Sequence, residues 1–510
     1  METNILRHSI FFEETVFNET TELNIDTDIN LPDYCGPIKK ILKCRAVPRV
    51  TSKSISGQNL LIDGTININV LYSDDSNCIK SYEHIVPIEK GFELNNNFEN
   101  CNISCKIKSD FINCRALTES KISVHGSASI NVVIKTKKPL DIITDIDNTS
   151  IELLKDDSTV TIPMGEGEKN LIVEEEISIG NGQASVESLL RYDIVPIVDE
   201  IKIISNKVIV KGNLRVYILY SSHEGTRQNN FSVTLPFSQI VDIEGVTEGC
   251  KCDCDAQVVF SELKQRAGDD ECRSFLLTAK LLVCANAYCT SEIPVIIDAY
   301  STNWEISSKK TDVTLKSIKE TINDSFVAKK SLEFSDGSIG SIIDLWCDCD
   351  SGGYKMEGNA IITSGRIVVH ILAYDADGAP MYFERPIDFD YKFQAKEQFN
   401  SMECKIIAEI SNCSFTIVGA NQIEVTVELK IIGSLYDSAK RTLITDIEIL
   451  DDKKKQCDYD SGILIYFAKS GENLWDIAKK YNSCKEEIMN MNNCSDLCLT
   501  ENKNLIIPIK

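Results

Sequence analysis

The residues with the greatest chemical reach in this chain are cysteines, and their spacing is unusual. Cys250, Cys252 and Cys254 form the run CKCDC, and Cys347 and Cys349 form CDC. On an extended strand, alternate side chains share a face about 6.6–6.8 Å apart, so two thiolates of either run could reach one metal ion. Structural zinc sites typically separate their cysteines by two to four residues, and no C-x-x-C occurs here. A disulfide between such near neighbours is strained. Three readings stay open: free thiols without a role, intermolecular cross-links formed in an oxidising setting, and metal binding. The 20 cysteines are scattered, with Cys35, Cys114, Cys284, Cys413 and Cys484 in separate segments, and that scatter favours cross-linking over one compact metal site.

Other chemistry is hard to find. No G-x-S-x-G, H-E-x-x-H or P-loop pattern occurs, and no cofactor motif is recognised. The five histidines, His8, His84, His125, His223 and His370, are far apart in sequence. His370, inside RIVVHILAY, reads as a sheet residue rather than a base. Acidic residues are too plentiful for any one carboxylate pair to stand out. The expectation is a protein that is not an enzyme.

Charge narrows the partners. The formal net charge is -24, without a basic stripe, which argues against nucleic acid and anionic membrane surfaces. Hydrophobic residues make up 43% and charged residues 25%, the balance of a folded soluble chain. The start, METNILRHSIFFEETVFNET, lacks the basic region and apolar core of a signal peptide. No apolar run approaches the ~20 residues that cross a bilayer, so no transmembrane segment is expected and synthesis in a cytosol is.

The elements that carry these residues repeat. NLLIDGTININVLYSD, NKVIVKGNLRVYILYSS and EGNAIITSGRIVVHILAYD resemble one another, ending near Tyr72, Tyr220 and Tyr374. Gly64 and Gly212 each precede their tyrosine by eight residues. Gly365 precedes Tyr374 by nine, which suggests a bulge or a looser match. In TININVLY, Ile66, Ile68 and Val70 point one way and Thr65, Asn67 and Asn69 the other, the period of a half-buried strand. Short helices are expected after the preceding turns, at 38–42, 186–190 and 341–345. The expected fold class is mainly β: three tandem strand-rich, sandwich- or barrel-like repeats plus a small α+β module of order βααβ. The boundaries read are 1–150, 151–305 and 306–455 for the repeats, 456–462 for a charged linker, and 463–510 for the tail.

In the tail, ILIYFAK reads as a strand. Asn473 is placed to cap a helix, with Asp476 favourable to its dipole. Leu474, Ile477, Ala478 and Tyr481 form one apolar face. Ser483 and Glu486 have capping-box spacing for a second helix, and NLIIPIK closes as a strand.

This order, with Tyr466, the SGENLWDIAKKY block, Asn492 and the closing LIIPI, resembles a LysM domain over residues 463–510. The resemblance implies a shallow groove for N-acetylglucosamine-containing glycans. Ser470, Gly471, Glu472, Asn473 and Leu474 would line one side, and Asn493, Cys494, Ser495, Asp496 and Leu497 the other. This copy lacks the usual glycine before the last strand, and its second loop reads NCSDLCLTENKN. Trp475 has two readings, partner contact and packing of the small domain.

Three such repeats followed by one LysM module resemble the SipL-type spore-coat morphogenetic family, whose repeats are called SPOCS domains. The resemblance implies synthesis in the mother-cell cytoplasm and residence at the forespore surface in the coat. It also implies a LysM-borne contact with a SpoIVA-like coat ATPase, alongside other coat proteins. The alternatives are an adaptor that binds peptidoglycan or cortex, and a structural coat protein cross-linked through cysteines.

Overall fold

The computed structural model describes residues 4–98, 101–180, 182–222, 228–266, 269, 273–334, 339–399, 401–419, 421–455 and 462–509. It is mainly β. Eighteen strands fall into three sets of six with the same pairing. The first set is β1 (Asn4–Asn30), β2 (Lys40–Ser56), β3 (Asn59–Ser73), β4 (Ile79–Glu93), β5 (Cys101–Thr118) and β6 (Lys121–Asp147). The second is β7 (Ile151–Ser178), β8 (Val186–Ile204), β9 (Lys207–Ser222), β10 (Gln228–Asp242), β11 (Lys251–Gln265) and β12 (Ser274–Ser301). The third is β13 (Trp304–Glu333), β14 (Ile339–Glu357), β15 (Ala360–Asp375), β16 (Pro380–Gln394), β17 (Met402–Gly419) and β18 (Gln422–Lys454). Each repeat folds as two antiparallel three-stranded sheets, ordered β1-β6-β5 and β2-β3-β4 in the first and likewise in the others.

The two sheets of a repeat face each other over their own core. In the first, Ile62, Ile68 and Val70 from one sheet meet Ile122, Val124 and Ile130 from the other. The Val/Ile alternation of TININVLY puts one apolar face inward, as a pleated strand requires. The recurrent glycine has a steric cause. Gly64, Gly212 and Gly365 lie opposite bulges of β2, β8 and β14, where a Cβ would meet the carbonyl oxygen of Arg49, Ile197 and Asp350 respectively.

Two expectations are corrected. Residues 40–42, 186–190 and 341–345 are strand, not helix, and among the described residues the only helical turn near them is a short 3-10 segment at Asp33–Cys35. Their paired apolar residues imitate a helical face because each strand carries a bulge there, between Ile41/Lys43, Leu189/Arg191 and Ile342/Asp344. Both faces of these strands meet apolar neighbours, one in the repeat's own core and one in a shared core.

The second correction concerns Tyr374. Register pairs Tyr72 with Ile41, Tyr220 with Leu189 and Ala373 with Ile342, so Ala373 holds the tyrosine's place. Tyr72 and Tyr220 are fully buried and donate to the carbonyls of Cys35 and Ala184, holding the preceding turn. Tyr374 lies one residue further on and donates to Gln228 of the second repeat. No bulge interrupts the pairing of β15 with β16, so the nine-residue spacing is a looser match.

The three repeats close around a common axis. β4 runs beside β8, β10 beside β14 and β16 beside β2. The long strands β6, β12 and β18 serve both levels. Their first halves fill the repeat's own core, and beyond the register shifts between Thr15/Phe17, Ala287/Tyr288 and Ile318/Glu320 they turn to the axis. There, Ile142, Val295 and Leu443 meet in one layer, and Ile143, Ile296 and Ile444 in the next. At the other end Leu71, Leu219 and Leu372 meet with Leu42 and Leu190.

The chain ends in a βααβ module: β19 (Ile463–Ala468), α1 (Leu474–Lys480), α2 (Lys485–Asn492) and β20 (Lys503–Pro508). Asn473 caps α1, its side chain accepting from Trp475 N. The cap of α2 is Cys484, one residue beyond the expected Ser483. The Ser483 hydroxyl donates instead to the Pro508 carbonyl and ties the helix start to β20. Most of the expected linker, residues 456–461, lies outside the described residues.

Candidate functional site

The tail pairs the loop before α1 with the loop before β20 through Leu497, inside the expected second wall, and through Leu499 and Thr500, beyond it. Gly471 N donates to Leu499 O at 2.7 Å, Leu499 N to Glu472 O at 3.0 Å and Leu474 N to Leu497 O at 2.7 Å. Ser470 adds a bond from its hydroxyl to Thr500 O at 2.9 Å. Gly471 has φ 90°, which suits a residue without Cβ at this sharp corner. Glu472 faces inward and accepts from Tyr466 and from Lys469 N, so its carboxylate stiffens the first loop. Asn492 joins α2 to β20 through bonds to Ile488 O, Ile506 O and Ile506 N.

Exposure sorts the expected site residues. Ser470, Gly471, Asn493, Ser495 and Asp496 are exposed, and Glu472, Asn473, Cys494 and Leu497 are half-buried. Leu474 is fully buried and Trp475 only 2% exposed, so neither offers a surface. Of the two readings of Trp475, packing is the one observed, and its neighbour is the second repeat. The indole stacks edge-on against Tyr300, with centroids 4.9 Å apart. Its Nε1 donates to Asp298 Oδ2 at 2.9 Å, an oxygen shared with Lys479 at 2.6 Å. Burial would raise the Asp298 carboxyl, but the bonds from Lys479 and Trp475 outweigh it and hold the group below its ordinary value. Tyr300 donates to Ser483 O at 2.7 Å, and Lys455 to Asn482 at 2.7 Å. The module is therefore docked on the repeats through its first helix and the turn that follows.

A second cluster escaped the sequence. Lys43, Arg191 and Asp344 are the first residues past equivalent bulges, and they differ in charge. Arg191 lies between Asp193 and Asp344, donating to the latter at 2.6 Å. Arg45 pairs with Asp193, and with Asp348 at 3.3 Å. Lys43 pairs with Glu384. His370, on β15 as expected, is buried against Trp346 and bonds Asp348 at 3.0 Å and Tyr382 at 2.6 Å. Burial alone would raise Asp348, yet the bond from His370 and the charge of Arg45 bring it down to about 2. These pairs join first repeat to second, second to third, and third to first. A cavity of about 1120 Å³ adjoins them, lined among others by Arg49, Glu83, Cys347 and Lys430. The usable signal was a reversal of charge at equivalent repeat positions, which shows only once register is known.

The cysteine runs behave differently from one another. Cys250 is bonded to Cys289 of its own repeat. Cys252 and Cys254 share a strand face with sulfurs 3.6 Å apart. Cys347 faces Cys413, and burial pushes the Cys349 thiol up to about 11. A second disulfide joins Cys44 to Cys114. Cys272 and Cys457 lie outside the described residues. Among the described residues no group of three or more His, Cys, Asp and Glu side chains is arranged to hold a metal ion. No helix there is long and apolar enough to cross a membrane.

The chain has no match among curated proteins or solved structures. A family model does match: the SipL, SPOCS domain, over residues 37–117 and 185–264. These segments are β2 to β5 and β8 to β11, the small sheet of a repeat and the first strand that follows it. The two matches support a SipL-like family and a sporulation-related, coat-type role for the chain.

Proposed function

We propose that the chain is a non-enzymatic assembly scaffold of the spore coat, made in the mother cell and held at the forespore surface. The observation that carries this reading is the pair of SPOCS-domain segments, set in a three-repeat body with a small βααβ module docked on it. The module has the order and the marker residues of a LysM domain, and we read its exposed rim as the contact for a SpoIVA-like coat ATPase. Supporting this, the rim residues Ser470, Asn493, Ser495 and Asp496 stand on loops locked by backbone hydrogen bonds, a preorganised surface. The net charge of -24 favours a partner with a basic face.

The test is binding of the full chain to the purified ATPase and, separately, to purified cell-wall sacculi. Ser495→Arg with Asp496→Arg should weaken ATPase binding by tenfold or more, about 1.4 kcal/mol, while leaving the unfolding midpoint in place. Unchanged affinity would remove the rim as the dock. Retention on sacculi, with competition by soluble chitin oligomers, would make the chain a cell-wall adaptor instead.

A further inference from the structure

Cys347 and Cys413 come from different sheets of the third repeat, β14 and β17, and their sulfurs lie 2.7 Å apart. The first repeat joins the corresponding strands, β2 and β5, through Cys44 and Cys114. In the second repeat the corresponding strands are β8 and β11. There Tyr192 holds the place of Cys44, and its hydroxyl donates to Ser261 O at 3.0 Å while Ser261 Oγ donates back at 3.3 Å. The first repeat thus fastens these two strands with a disulfide and the second with a hydroxyl pair, and the third sets two free thiols across them.

We propose that Cys347 and Cys413 are a thiol-oxidation site whose disulfide fixes β14 in place. Both sulfur-bearing residues line the central cavity, so a small disulfide can approach from within it. One thiolate of the pair attacks a sulfur of oxidised glutathione, forming a mixed disulfide and releasing one glutathione thiolate. The second cysteine attacks the protein sulfur of that mixed disulfide and expels the other glutathione thiolate. The two protein thiols lose two electrons and two protons, and both end on the two glutathione thiols. Hydrogen bonding to Cys413 and burial push the Cys347 thiol up, so the reaction is slow at neutral pH and calls for a sustained oxidant.

The location gives the bond a consequence. β14 also carries Asp344 and Asp348, the third repeat's partners for Arg191 and Arg45. A staple from β14 to β17 therefore restrains the strand on which the three repeats join.

The experiment uses the full reduced chain, incubated with oxidised glutathione, alkylated and mapped as peptides without reductant. The expected result is a linked Cys347–Cys413 peptide pair. Alkylation at both residues, or separate glutathione adducts on each, at a stage where Cys44 and Cys114 are already linked would overturn the site. A second readout covers the consequence. Oxidation should raise the unfolding temperature of the wild type by several degrees more than that of Cys347→Ser/Cys413→Ser. Equal increments in the two proteins would overturn the role in fixing β14. If the double variant fails to fold, the wild-type peptide map still decides.

Discussion

Arg191 is 7% exposed and touches two carboxylates, Asp193 and Asp344, themselves 20% and 10% exposed. Taking the guanidinium away leaves Asp344 in a poor dielectric without its cation and Asp193 with Arg45 alone. Breaking a buried pair in this way costs about 3–5 kcal/mol. Arg191→Ala should lower the unfolding free energy by that amount in urea denaturation. Arg7→Ala is the contrast, because Arg7 and Asp446 are 41% and 58% exposed and water screens their pair. Its cost should stay below about 1 kcal/mol. Nothing in the composition singles Arg191 out among 53 basic residues facing 77 acidic ones. Burial decides its weight, and burial here comes from a neighbouring repeat 153 residues away. The tail residues were more legible, since a helix cap and a backbone turn are local. Asn473 was found from its type and position alone. Trp475 was not assignable, because its partner Asp298 lies 177 residues upstream.

At the scale of elements, strand and glycine patterns were readable and the bulges were not. Alternation fixes which face of β3 or β9 is inward, and the sequence carries that alternation openly. A bulge turns two consecutive apolar residues to opposite cores, and the resulting spacing imitates a helix turn, which misled the reading of 38–42 and its counterparts. A second bulge on each of these strands, at Val50/Ser52, Val198/Glu200 and Ser351/Tyr354, lies opposite the recurrent glycine. At Gly212 a Cβ would meet the Ile197 carbonyl and the Phe237 ring. Gly212→Ala should therefore destabilise by about 1–3 kcal/mol through overpacking. Gly91, exposed on the edge strand β4, has no atom within 4 Å of the added Cβ. Gly91→Ala should stay within about 0.5 kcal/mol. Parallel melts of the two variants separate a steric requirement of the bulge from a general intolerance of alanine in strands. Equal melting temperatures would mean that β8 yields at the bulge and that the repeated glycine has another cause.

For the whole molecule, the question is whether three repeats with their own cores behave as three domains or as one. Each repeat buries an apolar core between its two sheets, which by itself permits independent folding. The axis argues the other way. Ile143, Ile296 and Ile444 are each at most 1% exposed, and each is covered by the strands of the other two repeats. At the opposite end the pairs Arg45–Asp193, Arg191–Asp344 and Lys43–Glu384 each cross between repeats. That asymmetry matters for order: Arg45 finds Asp193 and Arg191 finds Asp344, so three copies of the first repeat, or of the third, would set like charges against one another. Ile296→Ala should then cost about 2–5 kcal/mol, the range for truncating a buried isoleucine with incomplete collapse. The informative readout is where that cost appears. Native-state hydrogen exchange should speed up together in β6, β12 and β18, because the cavity removes contacts from all three strands. Faster exchange confined to β12 would mean that the repeats open separately. The shared axis would then be a contact between neighbours rather than a common core.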